Sequence, residues 1–135
     1  MTVKIIRKAV ALVTVTAWDI SNVMNANGAS RKRIESMSKI KCYISGAIAH
    51  CDMSERREAF GRAERFLLLR GYEPVNPFRN GLPQPGDWHD HMRVDIANLV
   101  SCQCIYMLKD WYKSKGAKLE LDVASSCGLE VMFEK

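Results

Sequence analysis

No apolar run in this 135-residue chain reaches the ~18 residues that would suggest a membrane-spanning helix. With four prolines and eight glycines there is no room for a low-complexity linker, and no internal repeat is found. The Walker loop, the Gly-x-Gly-x-x-Gly turn and the Gly-x-Ser-x-Gly elbow are all missing. The cysteines are odd in number: Cys42, Cys51, Cys102, Cys104 and Cys127. A disulfide framework belongs to smaller, secreted, loop-rich chains, so the compartment reads as reducing and hence cytoplasmic. What is present is ordinary for a globular protein: 47% apolar and 26% charged residues, which excludes disorder and collagen-like repeats. The length fits one domain able to bury a core without disulfides or a structural metal.

The net charge of +5 is unevenly spread. Residues 1–36 hold six basic and two acidic groups, whereas residues 37–135 hold fourteen basic and thirteen acidic ones. A near-neutral body lacks the concentrated positive field that phosphate-backbone binding needs, which argues against a nucleic-acid polymer as partner. The first segment also differs in pattern. Lys4, Arg7 and Lys8 precede a short apolar stretch at 9–18, loosely like a secretory signal. Thr14 and Thr16 interrupt that stretch, and no clear cleavage site follows. A strand through 10–15 is an alternative; an extension upstream of a natural start at Met37 is favoured. Residues 1–37 are therefore expected to be an N-terminal extension and residues 38–135 the folded domain.

Within 38–135 the pattern alternates between β-rich runs and helical stripes. Ile40–Ser45 reads as a first strand, stopped by Gly46. Ser54 is a plausible N-cap for a helix carrying Phe60, Ala63, Phe66, Leu67 and Arg70, ended by Gly71. Tyr72–Val75 is a brief second strand, and 78–86 a loop. Asp87 caps a second helix with Trp88, Met92, Ile96, Leu99 and Val100 as its apolar stripe. Residues 102–108 read as a parallel strand buried on both faces. A loop at 109–115, a third helix over about 116–126, Gly128 as its C-terminal cap and a last strand at 129–133 complete the chain. This β-α-β-α-β-α-β order implies a parallel sheet of four to five strands with helices on both faces. Ligands in such folds bind beyond the carboxyl ends of the strands, here 45–52, 76–86 and 109–115.

Two carboxylates stand out. Glu120 follows Ser114-Lys115-Gly116-Ala117 by one turn, next to a helix N-terminus that offers free N–H groups to an anion. Asp95 falls beside the buried stripe of the second helix, where partial desolvation would suit a general acid. A salt bridge with Arg93 or with a lysine across the loop is the plainer reading of Asp95. Tyr43, Trp88, Trp111 and Tyr112 are aromatic groups able to stack on a planar base. His89, Asp90 and His91 read as a solvated helix start. Cys102, Cys104, His89 and His91 make a four-ligand set with spacing unlike the usual zinc knuckle. If 102–108 is one strand, its alternation sends Cys102 and Cys104 to the same face, into packing.

Taken in order, Tyr43-Ile44-Ser45-Gly46, Asn76-Pro77, Trp88 with Met92-Arg93-x-Asp95-Ile96, and Trp111-x-x-Ser114-x-Gly116-Ala117-x-x-Glu120 form a set. Over roughly 39–133 this set resembles the nucleoside 2-deoxyribosyltransferase-like superfamily, specifically its small, often phage-borne DUF4406 branch. The resemblance implies a Rossmann-like, flavodoxin-type α/β three-layer sandwich acting on N-glycosidic bonds of nucleosides or nucleotides. By resemblance, Glu120 is the nucleophile at the anomeric carbon and Asp95 protonates the leaving base. Ser114 then helps bind a 5′-phosphate, and Ser45-Gly46-Ala47 lines sugar and phosphate. Asn76, Trp88, Trp111, Gly116 and Ala117 are expected in the same substrate site. No cofactor and no metal is implied.

Three departures shape the expectation. Gln103 stands where many members carry Asp, which alters one polar contact to the base. Ala47 replaces a proline or serine. The chain ends at Lys135, with no match to the polar C-terminal segment by which the transferases complete a neighbour's site. The favoured reading is a glycosidase of (deoxy)nucleoside 5′-monophosphates. The alternatives are a nucleoside 2-deoxyribosyltransferase and a non-catalytic nucleotide-binding module. A homodimer or larger assembly is expected, with Trp88 and the Met92 side of its helix contributing.

Overall fold

In the computed structural model, residues 39–135 are described. The extension 1–37, the alternative strand at 10–15 and the boundary ahead of Ser38 lie outside the described residues. The first strand, β1 (Ile40–Ser45), ends in four fully buried side chains, Cys42, Tyr43, Ile44 and Ser45. Strand geometry sends alternate side chains to opposite faces. Cys42 and Ile44 accordingly join one apolar cluster and Tyr43 another. The same alternation runs through β3 (Cys104–Met107), where Cys104 and Tyr106 face the first cluster and Ile105 and Met107 the second.

Helix α1 (Met53–Leu69) covers the first face with Ala59, Phe60, Ala63 and Leu67. Its cap is Asp52, not Ser54: Asp52 Oδ1 accepts the Glu55 N–H at 2.8 Å, and Ser54 falls within the first turn. Gly71, at φ +83°, reverses the chain into β2 (Tyr72–Val75), a conformation that suits a residue without Cβ. Helix α2 (Trp88–Val100) and helix α3 (Lys115–Ser126) lie on the second face, which takes Leu99, Ala117 and Ala124 into its core. Gly128, at φ +75°, then turns the chain into β4 (Glu130–Phe133). Fully buried Phe60, Leu67, Leu99, Ile105 and Met107 each stabilise the sandwich by about 1.5–3 kcal/mol.

The four strands are all parallel, in the order β2-β1-β3-β4. This is the three-layer α/β sandwich of flavodoxin type expected from the alternating pattern. The order reverses between β1 and β3, and a crevice opens there beyond their carboxyl ends. Two local expectations change. Residues 101–103 form a turn, so alternation begins only at Cys104. Cys102 therefore packs in the second cluster and Cys104 in the first, on opposite faces. Val100 is half exposed, because it lies about 100° around α2 from the buried Leu99.

Candidate active site

Because Tyr43 and Ser45 share a strand face, both look toward α3. That helix starts at the Ser114 N-cap, whose Oγ accepts the Ala117 N–H at 3.1 Å. Gly116, Ala117, Glu120 and Ala124 make its buried side, so a carboxylate sits among small residues, only 5% exposed. Ser45 Oγ donates to Glu120 Oε1 at 2.9 Å. The Tyr43 hydroxyl is buried beside Glu120 without reaching hydrogen-bond geometry with it. Burial pushes the Glu120 carboxyl up to about 7, and the negative charge of Asp95 adds to this against the pull of the two hydroxyls. The carboxyl therefore titrates near neutral pH rather than in the usual carboxylate range.

Asp95 is 7% exposed, more deeply set than its neighbour Ile96, and faces inward from α2. Arg93 does not pair with it; that guanidinium reaches Asp90 instead, at 3.5 Å. The partner of Asp95 is Asn80, whose Nδ2 donates to Oδ1 at 2.9 Å. Burial raises the Asp95 pKa, partly opposed by that hydrogen bond and by His91.

Between these carboxylates opens a cleft of about 450 Å³. Of the residues expected there, Tyr43, Gly46, Trp88, Asp95, Ser114, Gly116, Ala117 and Glu120 line it. Ser45 stands behind Glu120 as its hydrogen-bond donor. Ala47 lines an adjoining hollow of about 600 Å³ that shares Trp88, Ser114 and Gly116 with the cleft. Asn76 is not on the wall: its side chain accepts the Phe78 N–H at 3.0 Å and holds the short turn after β2. Trp111 packs against the second core cluster and Phe133, 5.9 Å between ring centroids, and does not line the cleft. Tyr112 is exposed away from the cleft walls. Gln103 sits before β3, at the opposite end of the sheet, where its Oε1 accepts the Lys41 N–H at 2.9 Å. Gln103 is therefore not among the residues that line the cleft. Trp88 and Met92 line the cleft.

Further walls come from His50, Cys51, Gln84, Pro85, Gly86 and His91. None was legible in the periodicity, because loop path rather than stripe brings them in. His91 in particular leaves the solvated helix start, unlike His89 and Asp90, and bonds to Asn80 and Pro83. The adjoining hollow is charged: Arg56 is held by Asp110 and Glu55, while Lys113 and Lys115 stand by the start of α3. Lys115 Nζ lies 4.8 Å from the centroid of the Trp88 ring. Among the described residues no three His, Cys, Asp or Glu side chains converge as metal ligands. No helix among them is long and apolar enough to cross a membrane.

Gly86 marks a tight spot in this wall. A Cβ there would stand 2.7 Å from the Pro83 carbonyl oxygen and 2.8 Å from His91 Nε2. Gly86→Ala should therefore part those two groups and destabilise the domain by about 1–3 kcal/mol. Urea unfolding checks this: the midpoint should fall at an unchanged slope, and an unmoved midpoint would refute the crowding.

The fold is shared with solved structures. The 2-deoxyribosyltransferase from the psychrotolerant bacterium Bacillus psychrosaccharolyticus superposes with a TM-score of 0.55 at 20% identity, covering 69% of this chain and 70% of that one. The 2-deoxyribosyltransferase from Leishmania mexicana gives 0.53 at 17% identity, covering 70% of this chain and 63% of that one. These likenesses show a shared α/β fold. A comparison with curated proteins finds no match. The family model described as "Domain of unknown function (DUF4406)" matches residues 40–133, nearly the whole described sandwich, and the chain belongs to that family.

Proposed function

We propose that this protein cleaves the base–sugar bond of (deoxy)nucleoside 5′-monophosphates through a covalent intermediate on Glu120. The observation that carries this reading is one cleft lined by two buried carboxyl groups, one of them fixed by a serine hydroxyl. A Glu120 oxygen attacks C1′ as the C1′–N bond breaks, with the bonding pair leaving on the base and the Asp95 proton following it. Water then attacks C1′, Glu120 departs as carboxylate, and the water's proton returns to Asp95. The start of α3, with Ser114, Lys113 and Lys115 beside it, suits a 5′-phosphate.

A second reading is deoxyribosyl transfer, favoured by the architecture shared with two 2-deoxyribosyltransferases. It differs only in the acceptor: a second base replaces water at the glycosyl-enzyme. Chromatographic detection of free base from a panel of ribo- and deoxyribonucleosides and their monophosphates tests both, with Glu120→Gln alongside. Release by wild type alone supports the hydrolase. Exchange only when an acceptor base is added supports transfer. Ligand binding with no release or exchange leaves a nucleotide-binding module.

Ser45→Ala gives a graded test. Losing the hydroxyl raises the Glu120 pKa further, because that hydrogen bond favours the charged form. Less carboxylate is then available at neutral pH, and kcat/KM at pH 7 should fall about fivefold for a first unit of upward shift and about tenfold for each unit beyond it. The deficit should shrink as pH rises beyond 7, where both proteins become ionised. A deficit constant across pH would assign Ser45 some other role.

A further inference from the structure

Two groups with fixed hydrogen-bonding chemistry orient everything between them at the edge of the cleft. The Pro83 carbonyl can only accept, so His91 Nε2, 3.0 Å away, carries the ring hydrogen. In the neutral ring Nδ1 is then an acceptor, and it lies 3.0 Å from Asn80 Nδ2. The Leu82 backbone N–H can only donate, and it meets Asn80 Oδ1 at 3.0 Å. The Asn80 amide is thus oriented from both ends, with its NH2 group toward α2. One of its hydrogens goes to His91 and the other to Asp95 Oδ1, at 2.9 Å.

This chain of partners has a chemical consequence. An amide NH2 offers no lone pair, so Asp95 Oδ1 can only accept there. When Asp95 is protonated, its hydrogen belongs on Oδ2, the oxygen that Asn80 does not engage, on a side chain that lines the cleft. We propose that Asn80 and His91 are positioning residues that hold the Asp95 proton on its cleft-facing oxygen for transfer to a departing base. This rests on the glycosidic reading above. The proton passes from Oδ2 to a ring nitrogen of the base as the C1′–N electron pair moves onto the base. Asp95 is left as a carboxylate, which the Asn80 N–H stabilises.

The test compares substrates matched in shape but not in their need for a proton: a purine nucleotide and its N7-methyl derivative, whose base leaves without protonation. If wild type prefers pyrimidines, the uracil and 5-fluorouracil nucleotides serve instead. Asn80→Ser keeps a hydroxyl able to accept the Leu82 N–H and removes the two amide N–H donors that face His91 and Asp95. Its kcat on the ordinary base should fall about 10–100-fold, with KM within about threefold. On the substrate that needs no proton, or needs it less, the fall should be several-fold smaller. Asn80→Ala should reproduce that selectivity, which guards against a defect peculiar to one variant. Equal losses on both substrates, or no loss on the ordinary one, would overturn the proposal. Absence of base release by wild type from either substrate would instead bring down the glycosidic reading, and this inference with it.

Discussion

Glu120→Gln is expected to melt well above the wild type at pH 8 and to release no base. The two effects share a cause. Glu120 is nearly enclosed, and burial lifts its pKa from the ordinary 4.5 to about 7. A carboxyl that binds its proton more tightly when folded favours folding at low pH and opposes it as pH rises between those values. Above pH 7 the group is ionised in both states, and the opposition reaches about 3 kcal/mol at 1.36 kcal/mol per pKa unit. Glutamine has the same shape, can still accept from Ser45 Oγ, and carries no charge. For a domain of this size the gain corresponds to roughly 10–20 °C in Tm. Near pH 4 the carboxyl is mostly protonated in either state, so the melting curves should converge. A Tm difference independent of pH between 4 and 8 would show that Glu120 is not held in its high-pKa form. Turnover should fall at least ~10⁴-fold, because an amide oxygen is a poor nucleophile at C1′ and the covalent route is lost. Nucleotide binding should remain measurable by calorimetry. A stabilised variant that still turns over would move the nucleophile elsewhere.

That a fold retains such a group at this position is itself informative. A buried carboxylate that weakens its own fold at neutral pH is a common signature of a functional site. In the sequence Glu120 stands out by its place after the Ser114-Lys115-Gly116 helix start and Asp95 by its place beside a buried stripe, while their roles come only from motif resemblance. The sheet was easier. Apolar runs at Ile40–Ser45 and Tyr72–Val75 coincide with β1 and β2, and Asp87 and Gly128 punctuate the chain as their chemistry demands. The errors lie where two residues compete for one role or a boundary shifts. Asp52 outranks Ser54 as the α1 cap by two residues, and the late start of β3 sends Cys102 to the face opposite Cys104. Trp111 and Asn76 belong to their motifs, yet the structure uses them for packing and for a turn. The Asn80–His91 bridge was illegible for a different reason. It joins a loop to a helix eleven residues away, and no period encodes where a loop crosses a cleft.

Asp95→Asn separates the acid from its supports. Asparagine keeps an oxygen for the Asn80 N–H, so the bridge to His91 should survive while the transferable proton disappears. General-acid assistance contributes about 10²–10⁴-fold, and kcat on ordinary nucleotides should drop by that amount. The loss should exceed that of Asn80→Ser, in which the proton remains but is no longer directed to the cleft. Because burial raises the Asp95 pKa, the wild type retains its acid above the usual carboxylate range and loses it as pH climbs further. The deficit of the variant should therefore narrow with rising pH, as the wild type forfeits the same proton. On an N7-methylated purine nucleotide the two proteins should run within a few-fold of each other, because that base departs without help. If the deficit is uniform across pH and equally deep on that substrate, Asp95 binds substrate rather than protonating it, and water or another group must supply the proton.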